Sequence, residues 1–199
     1  MRAGPLRLVL ATRNDHKAEE FAALLAPHEV VALPAEVELP PETGTTFAEN
    51  ALGKARAAAA ALGAVVIADD SGIESAALGG RPGVRSARFA GEDAGDADNL
   101  DKLVRDAPAG SPLAYVCVIA LVDPEAGTEE LFEGRCTGTL AAQPRGDGGF
   151  GYDPAFLPDD EIAHPPGRTM AELSPAEKGA ISHRGRAAAL LRARLGDCS

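Results

Sequence analysis

Short apolar runs alternate along the first third of the chain with stretches whose apolar positions recur every three or four residues. The runs at residues 6–11, 30–33 and 65–68 predict buried strands. Helical periodicity after residue 17 and from residue 46 to about residue 62 predicts two connecting helices. This alternation of strands and helices is typical of an α/β fold.

The second half of the chain adds a different pattern. Residues 113–122 and 130–140 are strand-like runs joined by a short polar turn, which predicts a long antiparallel hairpin and therefore a mixed sheet. Residues 96–107 predict a short amphipathic helix. The glycine-rich residues 73–91 predict an ordered but irregular excursion.

Helix boundaries are marked by capping signals. Capping boxes are expected over residues 46–49 and 174–177, and Gly63 is expected to end the first of these helices. Gly179 is expected to interrupt the second helix, and Ser182 to cap the one that follows.

An acidic pair follows the third apolar run directly. We expect the strand to end at Asp69 and Asp70, which would deliver both carboxylates to the rim of the sheet, and Gly72 to let the chain turn away. Because side chains alternate along a strand, the two acids should point to different sides. Adjacent carboxylates repel unless a cation or a shared proton relieves them, which indicates a hard metal such as Mg²⁺. The alternative is a polar turn that merely ends a strand.

A polar turn links the first strand to the first helix and forms a candidate anion site. Thr12 and Asn14 can donate hydrogen bonds to phosphate oxygens there, and Lys17 can reach the same place. The alternative is ordinary helix capping by Asn14 or Asp15, with Lys17 in solvent.

A glycine-rich loop occupies residues 144–154. Its spacing matches G-x-G-x-x-G, but no helix opens there and Asp153 precedes a proline, so a dinucleotide-binding loop is rejected. Phe150 and Tyr152 could present an aromatic face to a planar base, or could pack into the core.

Three further basic residues stand where a ligand would explain them. Lys54 shares a helix face with Asn50, and either points into a cleft or is solvated. His183 and Arg184 fall at a helix N-terminus, where the dipole disfavours cations. A nearby anion or polar base would account for that choice, and a lone surface pair is the alternative.

Composition sets limits on partners and location. The 199 residues predict a single domain over residues 1–199, and a net charge of −11 argues against nucleic acid or an anionic membrane as the partner. Cys117, Cys136 and Cys198 form no CxxC pair, and reduced, packed thiols are expected. Without an apolar leader at the N-terminus, the protein is expected to be cytoplasmic.

Taken together, five motifs resemble those of the inosine triphosphate pyrophosphatase (Ham1-like) family. They occur in the family's order and span almost the whole chain: Thr12-x-Asn14-x-x-Lys17, Glu42-Thr43-Gly44-x-Thr-Phe-x-Glu49-Asn50, Ala68-Asp69-Asp70-Ser71-Gly72, Phe150-Gly151-Tyr152-Asp153-Pro154 and Lys178-x-x-Ile-Ser-His183-Arg184-Gly185. The main departure is Arg13, where many members have a small residue.

The resemblance implies Mg²⁺-dependent hydrolysis of non-canonical purine nucleoside triphosphates (ITP, dITP and XTP) to the monophosphate and pyrophosphate. It also implies an elongated mixed sheet flanked by helices, two lobes with the active site in the cleft between them, and a homodimer. By this resemblance Glu42 and Asp70 would hold Mg²⁺, and Asp70 would accept the proton of the attacking water. Because contact with a metal lowers the basicity of a carboxylate, Asp69 is kept as a second ligand or alternative base.

The remaining site residues implied by the resemblance bind substrate. The triphosphate would be held by Thr12, Arg13, Asn14, Asp15, His16, Lys17 and Lys54, and Ser71 would touch the substrate. The base would be bound by Phe150, Gly151, Tyr152, Asp153, Lys178, His183 and Arg184. Three alternatives stay open: a Maf-like pyrophosphatase of other base preference, a transferase with the same triphosphate grip, and a non-catalytic nucleotide-binding module.

Overall fold

The computed structural model describes residues 4–160 and 167–196. Within these described residues, six strands and five α-helices follow one another as β1 (Arg7–Leu10), α1 (Asp15–Leu24), β2 (Glu29–Ala32), α2 (Phe47–Leu62), β3 (Val66–Ser75), α3 (Asp96–Asp106), β4 (Pro112–Asp123), β5 (Thr128–Leu140), β6 (Phe156–Pro158), α4 (Pro175–Ile181) and α5 (His183–Leu195). Short 3₁₀ turns occupy Ala76–Leu78, Gly83–Arg88, Asp153–Ala155 and Met170–Glu172.

The strands form one mixed sheet in the order β2-β1-β3-β4-β5-β6. Strand β1 pairs in parallel with β2 and with β3, whereas β5 and β6 are antiparallel. Strands β4 and β5 are neighbours joined by only four residues, 124–127, as in a hairpin. The predicted α/β class, the mixed sheet and the long hairpin are confirmed.

The described residues divide into two compact units. The first contains residues 4–70, 117–134 and 186–196, and the second contains residues 71–116, 135–160 and 167–185. Among the described residues, no helix has the length and apolar character that crossing a membrane requires.

Alternating side chains give the first unit two apolar layers. Leu8, Leu10, Ile67 and Ile119 pack with residues of α1 and α5, including Phe21 and Leu191. Val9, Ala11, Val66 and Ala68 pack against the alanines of α2, namely Ala51, Ala55, Ala58 and Ala59. Successive residues of one strand thus face opposite layers, so helices cover both faces of the sheet.

The second unit has one core of its own. The ring of Tyr115 packs there against Phe156, with 4.6 Å between ring centroids, and Leu103 of α3 is completely buried. Leu100 and Val104 pack against this core, as the predicted amphipathic helix requires. Cys117 and Cys136 are buried and form no disulfide, as expected, and Cys198 lies outside the described residues.

The capping predictions are largely confirmed. Both capping boxes form, and Gly63 ends α2 in the left-handed conformation with φ of 59°. Ser182 lies between α4 and α5, and its hydroxyl accepts a hydrogen bond from the amide of Gly185 at 3.0 Å.

Two predictions about glycines are wrong. Strand β3 does not end at the acidic pair but continues to Ser75, and Gly72 lies inside it. Gly72 is needed for space, because a Cβ there would overlap Ser86 and the carbonyl oxygen of Gly83. Gly179 does not interrupt α4, which runs to Ile181. A Cβ on Gly185 would overlap the Gly179 carbonyl, so glycine permits this close backbone contact.

Candidate active site

Residues of three elements bring two acids and two lysines together in the first unit. Strand β3 carries Asp69 and Asp70, the first turn of α1 carries Lys17, and α2 carries Lys54. All four side chains are largely or completely buried, with 15% of the Lys17 side chain and none of the Asp69 side chain exposed. Buried charges need partners, and here each of the two lysines contacts a carboxylate, Lys17 that of Asp69 and Lys54 that of Glu42.

The two neighbouring acids have different partners, as alternation along a strand requires. The carboxylate of Asp69 accepts a hydrogen bond from the ammonium of Lys17 at 2.9 Å, and the Sγ atom of Cys117 lies 4.0 Å from the same oxygen. The carboxylate of Asp70 accepts a hydrogen bond from the Asn50 side-chain amide at 2.8 Å.

Lys54 contacts both strand β3 and the segment that carries Glu42. Its ammonium donates to the carboxylate of Glu42 and, at 2.6 Å, to the backbone carbonyl of Asp69. Burial by itself lowers the pKa of Lys54, but the charges of Asp69 and Glu42 outweigh that effect and leave the pKa raised. Lys54 therefore stays protonated at neutral pH.

Asp70 is the acid whose ionised form is disfavoured. Burial raises its pKa, the negative charge of Glu42 raises it further, and Lys54 and the Asn50 hydrogen bond act in the opposite direction. A carboxylate with a raised pKa accepts a proton more readily than an ordinary aspartate, which suits a general base.

The fit of this cluster to Mg²⁺ depends on its oxygen donors. Over residues 4–160 and 167–196, no three His, Cys, Asp or Glu side chains come together as a metal site. Mg²⁺ usually needs only one or two carboxylates when substrate phosphates complete its shell. Glu42 and Asp70 are a hard oxygen pair whose mutual repulsion a cation would relieve. The residues therefore fit Mg²⁺ bound together with a triphosphate.

The turn before α1 is held by capping hydrogen bonds. Asn14 is the N-cap, and its side-chain oxygen accepts a hydrogen bond from the amide of Lys17 at 3.1 Å. The hydroxyl of Thr12 accepts one from the Asn14 amide at 3.2 Å. The capping alternative is thus correct for Asn14, whereas Lys17 turns to Asp69 rather than to solvent. Asp15 and His16 are exposed in the first helical turn.

A second cluster of predicted site residues lies in the other unit, around Asp153. Its carboxylate accepts hydrogen bonds from the ammonium of Lys178 at 2.8 Å, the amide of Phe150 at 3.0 Å and the hydroxyl of Tyr115 at 3.0 Å. Only 3% of Asp153 is exposed. Three donors fix this carboxylate in one orientation.

Cations surround the ring of Phe150. The ammonium of Lys178 lies 4.9 Å from the ring centroid, and the guanidinium carbon of Arg184 lies 5.6 Å from it. Arg184 also donates to the Ser71 hydroxyl at 3.0 Å. The second cluster therefore combines an aromatic face with fixed hydrogen-bond donors.

The two tyrosines of this cluster are core residues with polar tips. Tyr152 is buried, and its hydroxyl donates to the Ser86 carbonyl at 2.7 Å. Its ring therefore packs into the core, which is the second of the two alternatives given for the aromatic residues of this loop. The amide of Gly151 donates to Asp96 at 2.9 Å. The ring of Tyr115 stacks on that of His183 with 4.5 Å between centroids and 7° between planes.

Sequence reasoning missed Tyr115 and the role of Asn50. Tyr115 belongs to a strand whose apolar pattern explains it as core, and its partner Asp153 is 38 residues away. Asn50 was placed on the helix face of Lys54, and that shared face was the signal that could have assigned it to the site.

Comparisons with known proteins place these residues in a wider context. A model of the Ham1 family matches residues 8–194. A protein of Geobacillus kaustophilus called dITP/XTP pyrophosphatase is 50% identical over 190 residues, which cover 90% of this chain and 89% of that protein. A protein of the same name from Mycolicibacterium paratuberculosis is 49% identical over 195 residues, covering 92% and 93%.

Solved structures agree with these relatives. The HAM1 protein of Coxiella burnetii superimposes with a TM-score of 0.83 at 41% identity, covering 97% of this chain and all of that one. A structure from Mycobacterium abscessus, described as nucleoside-triphosphatase / dITP/XTP pyrophosphatase, gives a TM-score of 0.71 at 44% identity, covering 93% and 98%.

Proposed function

The chain belongs to the Ham1 family, and we propose that it hydrolyses the non-canonical purine nucleoside triphosphates dITP, XTP and ITP to the monophosphate and pyrophosphate. Relatives about half identical over nine-tenths of the chain carry the name dITP/XTP pyrophosphatase, which supports this activity. The chain acts as one pyrophosphatase domain and removes these nucleotides before they enter nucleic acids.

The observation that carries the proposal is the cluster of Glu42, Asp70, Lys17 and Lys54. In a protein with a net charge of −11, Lys17 and Lys54 supply local positive charge for a triphosphate. Thr12 and Asn14, at the start of α1, supply further donors. A cluster of this kind suits phosphoryl chemistry, in which positioning and electrostatics do most of the work.

Asp70 takes the proton of the attacking water. The water oxygen forms a bond to phosphorus, its proton passes to an Asp70 carboxylate oxygen, and the α–β anhydride bond breaks with pyrophosphate as the leaving group. Asn50 holds the carboxylate in place. Glu42 and Asp70 would hold Mg²⁺, which would neutralise phosphate charge and lower the pKa of a bound water. Lys17 and Lys54 stabilise the charge that develops on the phosphate oxygens.

The second cluster binds the purine. Phe150 offers a face for stacking, and Lys178 and Arg184 are donors suited to the oxygen that hypoxanthine and xanthine carry at C6. Adenine has an amino group there and offers these donors no acceptor at that position. Guanine shares the oxygen, so its rejection depends on exclusion of the 2-amino group. His183, held against Tyr115, completes this pocket.

The dependence on Mg²⁺, a cytoplasmic location and a homodimer belong to the same proposal. They derive from the family resemblance rather than from any contact described above.

Pyrophosphate release from ITP, XTP, dITP, GTP and ATP, each with and without Mg²⁺, tests the proposal. Fast, metal-dependent release from the first three, with little from GTP and ATP, is expected. Equal rates on all five triphosphates would support the pyrophosphate-releasing hydrolysis but would refute the proposed selectivity for the base. Modified pyrimidine triphosphates are tested in the same assay, and release from these alone would favour a Maf-like enzyme. No release from any triphosphate would favour a binding module.

A further inference from the structure

The guanidinium of Arg13 is committed to one short backbone segment. Its Nη1 donates to the carbonyl of Leu33 at 2.9 Å. Its Nη2 donates to the carbonyls of Pro34 at 2.9 Å, Ala35 at 3.3 Å and Val37 at 2.7 Å. Four carbonyl oxygens of residues 33–37 therefore converge on a single planar cation.

This convergence needs a guanidinium. Four carbonyl dipoles pointing at one place repel one another unless a cation lies between them, and several N–H groups held in one plane can satisfy all four. A lysine offers one nitrogen and cannot span them. To reach a phosphate instead, Arg13 would have to give up these four hydrogen bonds.

The anchored segment leads directly to Glu42. Leu33 and Val37 are buried against the alanines of α2, and the Val37 amide donates to the Pro34 carbonyl at 3.2 Å. Only four residues separate Val37 from Glu42, and two of them, Pro40 and Pro41, are prolines with restricted backbones.

Arg13 also closes a ring of contacts around the cluster formed by Asp69, Asp70, Lys17 and Lys54. Two residues after Arg13, α1 begins, and its Lys17 contacts Asp69. Lys54 contacts both Asp69 and Glu42. Arg13 returns the ring from the segment before Glu42 to the turn before α1. Strand pairing brings Leu10 beside Ala32, and Arg13 adds four hydrogen bonds that tie the residues that follow, 33–37, to the turn that starts α1.

We propose that Arg13 is a positioning residue that anchors residues 33–37 and so holds Glu42 in register with Asp70, rather than a ligand of the triphosphate. This inference rests on the proposed function, because Glu42 is a metal ligand only there. The anchoring itself does not depend on activity.

Hydrogen–deuterium exchange on the protein without nucleotide tests the anchoring. Arg13→Ala and Arg13→Lys should raise amide exchange across residues 33–43 by about tenfold or more, since charge-assisted hydrogen bonds hold that segment. The control is Arg7→Ala, which removes an exposed arginine 3.9 Å from Glu29 on the neighbouring strand. Unchanged exchange in the Arg13 variants would overturn the proposal.

Steady-state kinetics on ITP separate positioning from phosphate binding. Arg13→Ala should lower kcat about 10- to 100-fold and raise the Mg²⁺ concentration for half-maximal rate, with KM for ITP within about threefold of wild type. Millimolar guanidinium should restore part of the kcat of Arg13→Ala. For Arg13→Ala, a large rise in KM for ITP at unchanged kcat would overturn the proposal. Wild-type kinetics despite faster amide exchange would overturn it as well. A wild type inactive on every triphosphate refutes the proposed function instead, and the exchange data still decide the anchoring.

Discussion

The carboxylate of Asp69 lies 2.9 Å from the ammonium of Lys17, 52 residues earlier in the chain. The backbone carbonyl of the same residue accepts a hydrogen bond from Lys54. One aspartate therefore fixes both lysines that we assign to the triphosphate. Its carboxylate is the opposite charge that the mostly buried Lys17 contacts.

Asp69→Asn should impair the grip on the triphosphate rather than the chemistry. Without the counter-charge Lys17 loses its fixed position, so we expect kcat/KM for ITP to fall about 10- to 100-fold, mainly through KM. The Mg²⁺ concentration for half-maximal rate should stay near the wild-type value. A marked loss of apparent Mg²⁺ affinity would instead make Asp69 a metal ligand.

Asp70→Asn should abolish most turnover while leaving the fold intact. Loss of a general base lowers the rate by about 10²- to 10⁴-fold. The burial that raises the pKa of Asp70 also means that its charge is unfavourable in the folded state, so the melting temperature should be equal or higher. Initial rates and thermal melts check both points, and turnover within tenfold of wild type would refute the base assignment.

Tyr115→Phe should weaken binding of the base. The ring that stacks on His183 remains, but Asp153 loses one of its three donors, so KM for ITP should rise several-fold with little change in kcat. The matched control is Tyr152→Phe, which also removes a buried hydroxyl but whose partner is the Ser86 carbonyl. Both changes should cost about 1–2 kcal/mol of stability, and equal KM values for the two variants would contradict the role given to Tyr115.

Gly72→Ala should destabilise the protein, because a Cβ there overlaps Ser86 and the Gly83 carbonyl. Overpacking of this kind costs about 1–3 kcal/mol. Gly53→Ala is the control, since a Cβ at that position in α2 meets nothing within 4 Å. It should stabilise the protein by about 0.5–1 kcal/mol, as alanine does in a helix interior. Urea unfolding of both variants measures the two opposite effects, and equal shifts would argue against a close approach at Gly72.

The carboxylate of Glu177, which takes part in the capping box of α4, should make the stability of the protein depend on pH. Hydrogen bonds from Arg168, and then from the amide and hydroxyl of Ser174, lower the pKa of Glu177 to about 2 from its ordinary 4.5. A lowered folded-state pKa stabilises the protein above the unfolded pKa, and this contribution is lost as pH falls from about 4.5 toward 2.

Glu177→Gln should therefore be less stable than wild type at pH 7, with a gap that narrows below pH of about 4.5. Glutamine can still form the capping box, so the comparison isolates the charge. Urea midpoints of both proteins between pH 7 and 3 measure the gap. A gap that stays constant over this range would exclude the carboxylate charge as its source.

Local patterns predicted most elements because their causes are local. Thr46 and Glu49 start α2 by bonding to each other's backbone, and Gly63 ends it through its own conformation. The same locality explains the failure at β3. An apolar run ends at Ala68, but the strand continues because the polar residues that follow find buried partners far away in sequence, such as Asn50 for Asp70.

The site was predicted through motifs, but its internal contacts were not. Lys17, Asp70 and Asp153 stand in the five motifs, whereas Lys54 lies outside them and was singled out because it shares a helix face with Asn50. That Lys17 contacts Asp69, or that Tyr115 contacts Asp153, depends on chain crossings of 52 and 38 residues that no local spacing encodes. The sequence did not predict that Arg13 would bind backbone carbonyls, because every residue has a carbonyl and no residue type marks those that an arginine contacts.

Because Cys117 and Cys136 are buried, their reactivity can report transient opening of the structure around each of them. Cys117 lies beside Asp69 on the neighbouring strand, and Cys136 belongs to the core of the second unit. A thiol reagent reaches either sulfur only when the surrounding structure opens, so the alkylation rate of each one measures the free energy of opening there. Peptide mass spectrometry then yields two local stabilities, one for each unit, without introducing a new cysteine.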